Sequence, residues 1–255
     1  MRPDMMGRMR WGVILVTAWV LCGCAAQQED LHPPTVSDHL APGIQDADTT
    51  EGWWSVRFFM DWPEDAEPSW HMGTLLAHKV VAPVLNRHQN EISVWRFHRR
   101  AAPDASGHRL TFYFYSRPAA AQQIMASVRY NELLSRLMAA GDILRTEYSD
   151  PWVNVEPDIE DTSDAKWSPA LQKAWPYFIM GASRMWLDLV DKLIAERPSG
   201  KDSTTLEQTR QLYREVDGEV LRVWQNEGRH AFLHHLNAIF EYEPLWVYER
   251  RPLKF

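Results

Sequence analysis

EISVWRFHRRAAPDASGHRLTFYFYS, residues 91–116, holds two runs dense in aromatic and β-branched residues on either side of Pro103-Asp104-Ala105-Ser106-Gly107. Side chains of a strand alternate between two faces, and a cluster of Pro, Asp, Ser and Gly stops both runs. The stretch therefore predicts an antiparallel hairpin with strands over Glu91–Arg99 and His108–Ser116. Alternation sends Phe112 and Phe114 one way and Tyr113 and Tyr115 the other, while Trp95 and Phe97 oppose Val94 and Arg96. Both faces of a sheet built on this hairpin thus carry large side chains, and an uncovered aromatic face of that size is a binding surface or an aggregation hazard.

Working outward, Trp53–Met60 is a further strand, and Leu75, Leu76, Val80, Val84 and Leu85 give Met72–Gln89 helical spacing with Pro83 as a point of kinking. Downstream, Pro118 opens a helix to about Ala140, which Gly141 stops, and Asp142–Tyr148 is a last strand. The order β-α-β-β-α-β over residues 53–149 resembles the ferredoxin-like arrangement, two helices on one face of a four-stranded antiparallel sheet. The expected class is α+β, an architecture that hosts many unrelated functions.

Residues 150–168 carry Asp150, Glu156, Asp158, Glu160, Asp161 and Asp164 with Pro151 and Pro157, and read as an acidic loop whose spacing matches no calcium motif. The remainder, 169–255, is helical in pattern. Amphipathic stretches run over Pro169–Arg197, with Pro176 inside, Ser203–Asn226 and Gly228–Tyr242, and Leu245–Glu249 is a short strand candidate. These helices have apolar stripes in need of a partner, so they are expected to pack on the open sheet face. The alternative is that part of that face remains a groove for a peptide, glycan or lipid.

At the other end, Arg2, Arg8 and Arg10 precede an apolar run, Trp11–Leu21, that ends in Leu21-Cys22-Gly23-Cys24. A basic start, a short apolar core and a small-residue stop make a secretory signal too short to span a bilayer. The Leu-x-Gly-Cys ending resembles the lipobox of bacterial lipoproteins. That resemblance implies removal of residues 1–23, lipidation of Cys24 and acylation, palmitate included, of the new amino terminus. Ala25, in place of Asp after the cysteine, implies the periplasmic face of the outer membrane. Residues 24–52 follow as a flexible tether with a reach on the order of 25 to 30 Å.

The formal charge is −7, and residues 1–23 hold three arginines against Asp4, a net +2, so the mature chain would carry −9. An acidic body does not seek phosphate backbones, which excludes nucleic acid as a partner. Cys22 and Cys24 are the sole cysteines. A mature body without a free thiol has no disulfide, thiolate metal site or cysteine nucleophile.

Three groups could carry chemistry. His230, His234 and His235 place two imidazoles one helical turn apart, as metal ligands require, yet Ala231 stands where a zinc-protease motif has Glu and no third ligand is fixed. Trp95-Arg96-Phe97-His98-Arg99-Arg100 interleaves cations with aromatics. With Arg57 on the first strand, Arg96 and His98 are candidates for an anionic ligand. Trp62, Trp70 and His71 frame the loop Met60–Gly73 and could stack on a sugar or peptide. No nucleophile elbow, phosphate-binding loop or dinucleotide fingerprint is present, and no cofactor is expected. The sequence thus points to a lipid-anchored module that binds an envelope protein, peptide or glycan. The competing reading is an envelope hydrolase, metal-assisted through the histidine cluster.

Overall fold

The computed structural model describes residues 50–104, 107–153, 156–197 and 205–244. Cys24, the signal segment, the tether up to residue 49, Ala105 and Ser106 of the hairpin loop and the Leu245–Glu249 strand candidate lie outside the described residues. Strands β1 (Gly52–Met60), β2 (Val94–Ala101), β3 (His108–Ser116) and β4 (Ile143–Tyr148) form one antiparallel sheet in the order β2-β3-β1-β4. Helices α1 (Trp70–Leu75) and α2 (Ala82–Arg87) come between β1 and β2, and α3 (Pro118–Arg129) and α4 (Glu132–Ala139) between β3 and β4. A single 3-10 turn (Ile159–Thr162) then precedes α5 (Pro169–Ala195), α6 (Leu206–Gly228) and α7 (His235–Ile239). The fold is a mixed one of helices and a four-stranded antiparallel sheet. No helix among the described residues is long and apolar enough to cross a membrane.

The hairpin pairs Trp95 with Phe114, Phe97 with Phe112 and Arg99 with Leu110, and β1 continues the rows with Trp54, Val56 and Phe58. This first face is the core. Trp54, Phe58, Phe112 and Phe114 are fully buried and join Leu75, Val80, Ile124, Leu134 and Leu137 of the helices in one apolar cluster. Full burial of each such side chain contributes about 1.5–3 kcal/mol.

Two helices depart from the simple pattern for local reasons. Pro83 has no N–H for the carbonyl of Lys79, and the chain answers with a π turn, Leu76–Val81, whose last bond runs from the Ala82 N–H to the Ala77 carbonyl. The expected kink is thus a widened turn. The helix expected from Pro118 to Ala140 is broken at Asn131, whose extended backbone and side-chain bond from the Leu134 N–H start α4 afresh.

The C-terminal helices meet the sheet differently from expectation. Apart from Trp175 near the start of α5, they do not lie across the second face. Leu187, Val190 and Ile194 of α5 and Leu212, Tyr213 and Val216 of α6 join the same core cluster as α1 and the first face. The 27-residue α5, about 40 Å long, instead crosses the β2 edge. There the Phe97 N–H donates to the Ser183 hydroxyl at 3.1 Å and Trp186 meets the Phe97 ring edge-on. The apolar stripe of α5 finds its partners in the β2 edge, the π turn Leu76–Val81 and α6, a choice that the sequence pattern alone could not make.

The second face divides in two. At the end carrying Trp53, Tyr113, Tyr115 and Arg96, the acidic segment folds back over the strands. The Trp53 indole donates to the Ile159 carbonyl at 2.9 Å, the Tyr115 hydroxyl to the Pro157 carbonyl at 2.6 Å, and the Arg96 guanidinium stacks on Tyr113 and on Trp175 of α5. The other end, with Arg57, His98, Arg109 and Arg145, has no such cover among the described residues, and Arg57 and Arg145 keep 41% and 53% of their side chains exposed.

Candidate binding pocket

Trp70, the first residue of α1, projects toward a gap that α5 and α6 leave between them. Met185 and Trp186 from α5, Leu221 and Trp224 from α6 and Phe232 from the π turn Arg229–His234 complete a pocket of about 410 Å³. Its wall is chiefly apolar and aromatic. Trp70 is 37% exposed, Leu221 53% and Trp224 51%, far more than a core would allow. Trp224 stacks on Phe232 with the rings 11° from parallel, and this stack holds one side of the opening.

One ion pair closes the pocket floor. Alternation places Arg99 on the core face of β2 beside Trp95 and Phe97, and its guanidinium donates to Asp217 Oδ1 at 3.1 Å and to the Trp70 carbonyl at 2.6 Å. The Thr74 hydroxyl donates to the same carboxylate oxygen at 2.5 Å. The guanidinium also lies 5.3 Å from the Trp70 ring and 5.1 Å from Trp186, within cation–π range. Burial pulls the Arg99 pKa down, and the Asp217 carboxylate acts against that shift. Because the charges satisfy each other, the pocket offers its ligand apolar area and ring faces.

Behind Trp70 lies His108, 2% exposed, whose imidazole meets Trp70 and Trp62 edge-on at 5.1 and 6.3 Å. Neither ring nitrogen has a hydrogen-bond partner. Burial, with Arg99 and His71 nearby, lowers its pKa to about 4, so the ring is neutral and acts as an apolar support for Trp70.

Of the other residues singled out from sequence, Trp62 bonds to the Ala66 carbonyl at 2.7 Å and anchors its own loop. His71 is half-buried, its pKa lowered by burial and by Arg214. Arg96 is covered by the acidic segment, donating to the Thr162 carbonyl at 3.4 Å, and is no longer a free ligand-binding cation. Arg57 and His98 are brought together on the second face, each paired in register with Thr111. His230, His234 and His235 do converge, with ring centroids 5.1–5.4 Å apart. Their first two rings, however, stack 11° from parallel, and among the described residues no group of three or more His, Cys, Asp or Glu is placed to hold a metal ion.

Sequence reasoning missed a buried relay in the π turn. Tyr213 is fully buried, and burial raises its pKa, so the phenol stays protonated and donates to His78 Nδ1 at 2.5 Å. His78 Nε2 faces Asp191 at 3.3 Å, at the edge of a larger cleft of about 790 Å³ between α2 and α5. With both nitrogens engaged and its pKa lowered by burial, this imidazole has no free lone pair for base chemistry. The relay satisfies a buried hydroxyl.

No known protein family matches the sequence, and no curated protein does. Among solved structures, one described as "Crystal structure of TsrL" aligns with 74% of this chain at 16% identity and a TM-score of 0.32. The chain covers 56% of that protein's length, a little over half. A likeness at that score carries no argument about fold or function.

Proposed function

We propose that the protein is a lipid-anchored periplasmic module of the outer membrane that binds an apolar ligand of the envelope in the Trp70–Trp186–Trp224 pocket. The observation that carries the binding reading is the pocket itself: about 410 Å³, within the usual size of small-molecule sites, with aromatic walls left partly open to solvent. The anchor rests on Leu21-Cys22-Gly23-Cys24 and the outer-membrane address on Ala25. The ferredoxin-like reading of residues 53–149 draws support from the strand order β2-β3-β1-β4 and from the helices that share the first-face core.

Binding is tested by titrating the purified full chain with the apolar probe N-phenyl-1-naphthylamine. Saturable probe fluorescence with a parallel change in tryptophan emission is expected. Val220→Trp, which fills the pocket, should abolish both while leaving the circular dichroism spectrum unchanged. Undiminished probe binding by a folded Val220→Trp variant sinks the assignment. The anchor is tested separately by palmitate labelling, where Cys24→Ala should lose the label and the membrane association together.

A further inference from the structure

We propose that the uncovered half of the second sheet face, formed by Arg57, His98, Arg109 and Arg145, is a binding site for a phosphate-class oxyanion. In one row, Arg100 of β2 stands opposite Arg109 of β3, Phe59 of β1 comes next, and Arg145 of β4 ends the row. The adjacent row runs His98, Thr111, Arg57 and Glu147. Like charges directly opposite in a sheet are destabilising. A chain of net charge −7 that gathers four arginines and a histidine on half a sheet face has placed them against the general trend of its own charge.

The partners already present do not use up this capacity. Arg100 is engaged by Asp104 at 3.0 Å, Arg145 lies over the Phe59 ring at 3.6 Å and shares Glu147 with Arg57, while Arg109 has no carboxylate partner among the described residues. Two buried polar atoms in the middle of the patch have no hydrogen-bond partner, the Thr111 hydroxyl and Arg109 Nε. These two groups lie closed off from solvent beneath the arginines, so the exposed guanidinium groups of Arg57 and Arg145 are what an incoming acceptor meets first. Phosphate oxygens suit these groups, since planar guanidinium forks bind them in bidentate fashion.

The site shares no residue with the tryptophan pocket. His98 and Arg100 point to this face while Arg99 between them points to the core, so the two assignments stand or fall apart. The test uses the full chain carrying Cys24→Ala, so that no lipid anchor obscures the readout, at low salt. Calorimetric titration with inorganic pyrophosphate should show saturable binding, which Arg57→Gln plus Arg109→Gln weakens at least about tenfold. The milder Arg145→Gln, on an exposed edge-strand position, should weaken it by about threefold, and Arg184→Gln on α5 should leave it unchanged. Flotation with phosphatidylglycerol against phosphatidylcholine vesicles distinguishes the source. Preference for the anionic vesicles that disappears in the double variant, without pyrophosphate binding, makes the group a lipid headgroup. Binding of neither probe, or binding unaltered in a double variant that still unfolds cooperatively, overturns the proposal. Retained N-phenyl-1-naphthylamine binding in that variant separates this outcome from failure of the pocket.

Discussion

The two faces of one sheet have received opposite treatment. The first is a continuous apolar surface sealed by six helices; of the polar groups on that side, Arg99, Thr74 and Asp217 are bonded together and His78 is bonded to Tyr213, while His108 is buried without a partner. The second is half roofed by the acidic segment through indole, phenol and guanidinium contacts, and half left to arginines. Hydrophobic burial scales with the area removed from water, so the first face supplies most of the stability. The second, relieved of that duty, is free to carry charge. A face that stabilises and a face that recognises need different residues, and period-two alternation lets adjacent positions in one strand serve both.

The contrast can be tested by how much each side loses. Phe112→Ala on the sealed face should lower unfolding free energy by about 3–5 kcal/mol in urea titrations. Tyr113→Ala, its neighbour on the other face, should cost well under half as much, and near-equal losses would dissolve the distinction. Next in size, Tyr213→Phe leaves His78 Nδ1 buried without a donor and should cost about 1–3 kcal/mol, read from the same titrations.

His108 gives the sealed face a pH dependence. Its pKa in the fold is lowered to about 4, against the ordinary 6.5, so between those values the unfolded chain takes up a proton that the fold refuses. Stability is therefore full above pH 6.5 and falls as the pH drops toward 4, at up to about 1.4 kcal/mol per pH unit from this group. His108→Phe should flatten that slope in parallel titrations at pH 7 and 5, and an unchanged slope would remove His108 as its source. The smallest effect is expected on the open half-face, where Arg145→Gln should change stability by no more than about 0.5 kcal/mol. A larger loss there would mean that the arginines hold the sheet together.

Much of this was legible in residues 91–116. Aromatic alternation located β3 and β2 to within a few residues and set Trp95 and Phe97 opposite Val94 and Arg96, but which face is the core, and with it the place of Arg99, is decided only by the packing of the helices. Element order survived because each strand and helix carries its own period and stops. Less visible were events decided by competition between near-equal alternatives. Pro83 announced a disturbance, but whether the helix kinks or widens depends on backbone bonds that no residue type encodes. Asn131 inside an apolar helical pattern is a cap only once its side chain turns back to the Leu134 N–H. The packing of α5 and α6 was hidden for the same reason, since an apolar stripe says that a partner is needed and not which one. Trp70 was singled out as a loop aromatic, whereas Asp217, Trp186 and Trp224, far downstream, meet it only through tertiary packing.

The bond from the Phe97 N–H to Ser183 bears on how these molecules treat one another. An unpaired strand edge is a template on which a second copy can add its own strand, and β2 and β4 are the two edges of this sheet. The first is guarded by a helix that takes up a backbone donor a newcomer would need. The second bears Arg145 and Glu147, whose charges a docking strand would have to strip of water. Both edges of the four-stranded sheet formed by the described residues are thus unfavourable to a strand from another copy, and crowding many copies together should yield a concentrated solution before it yields fibrils.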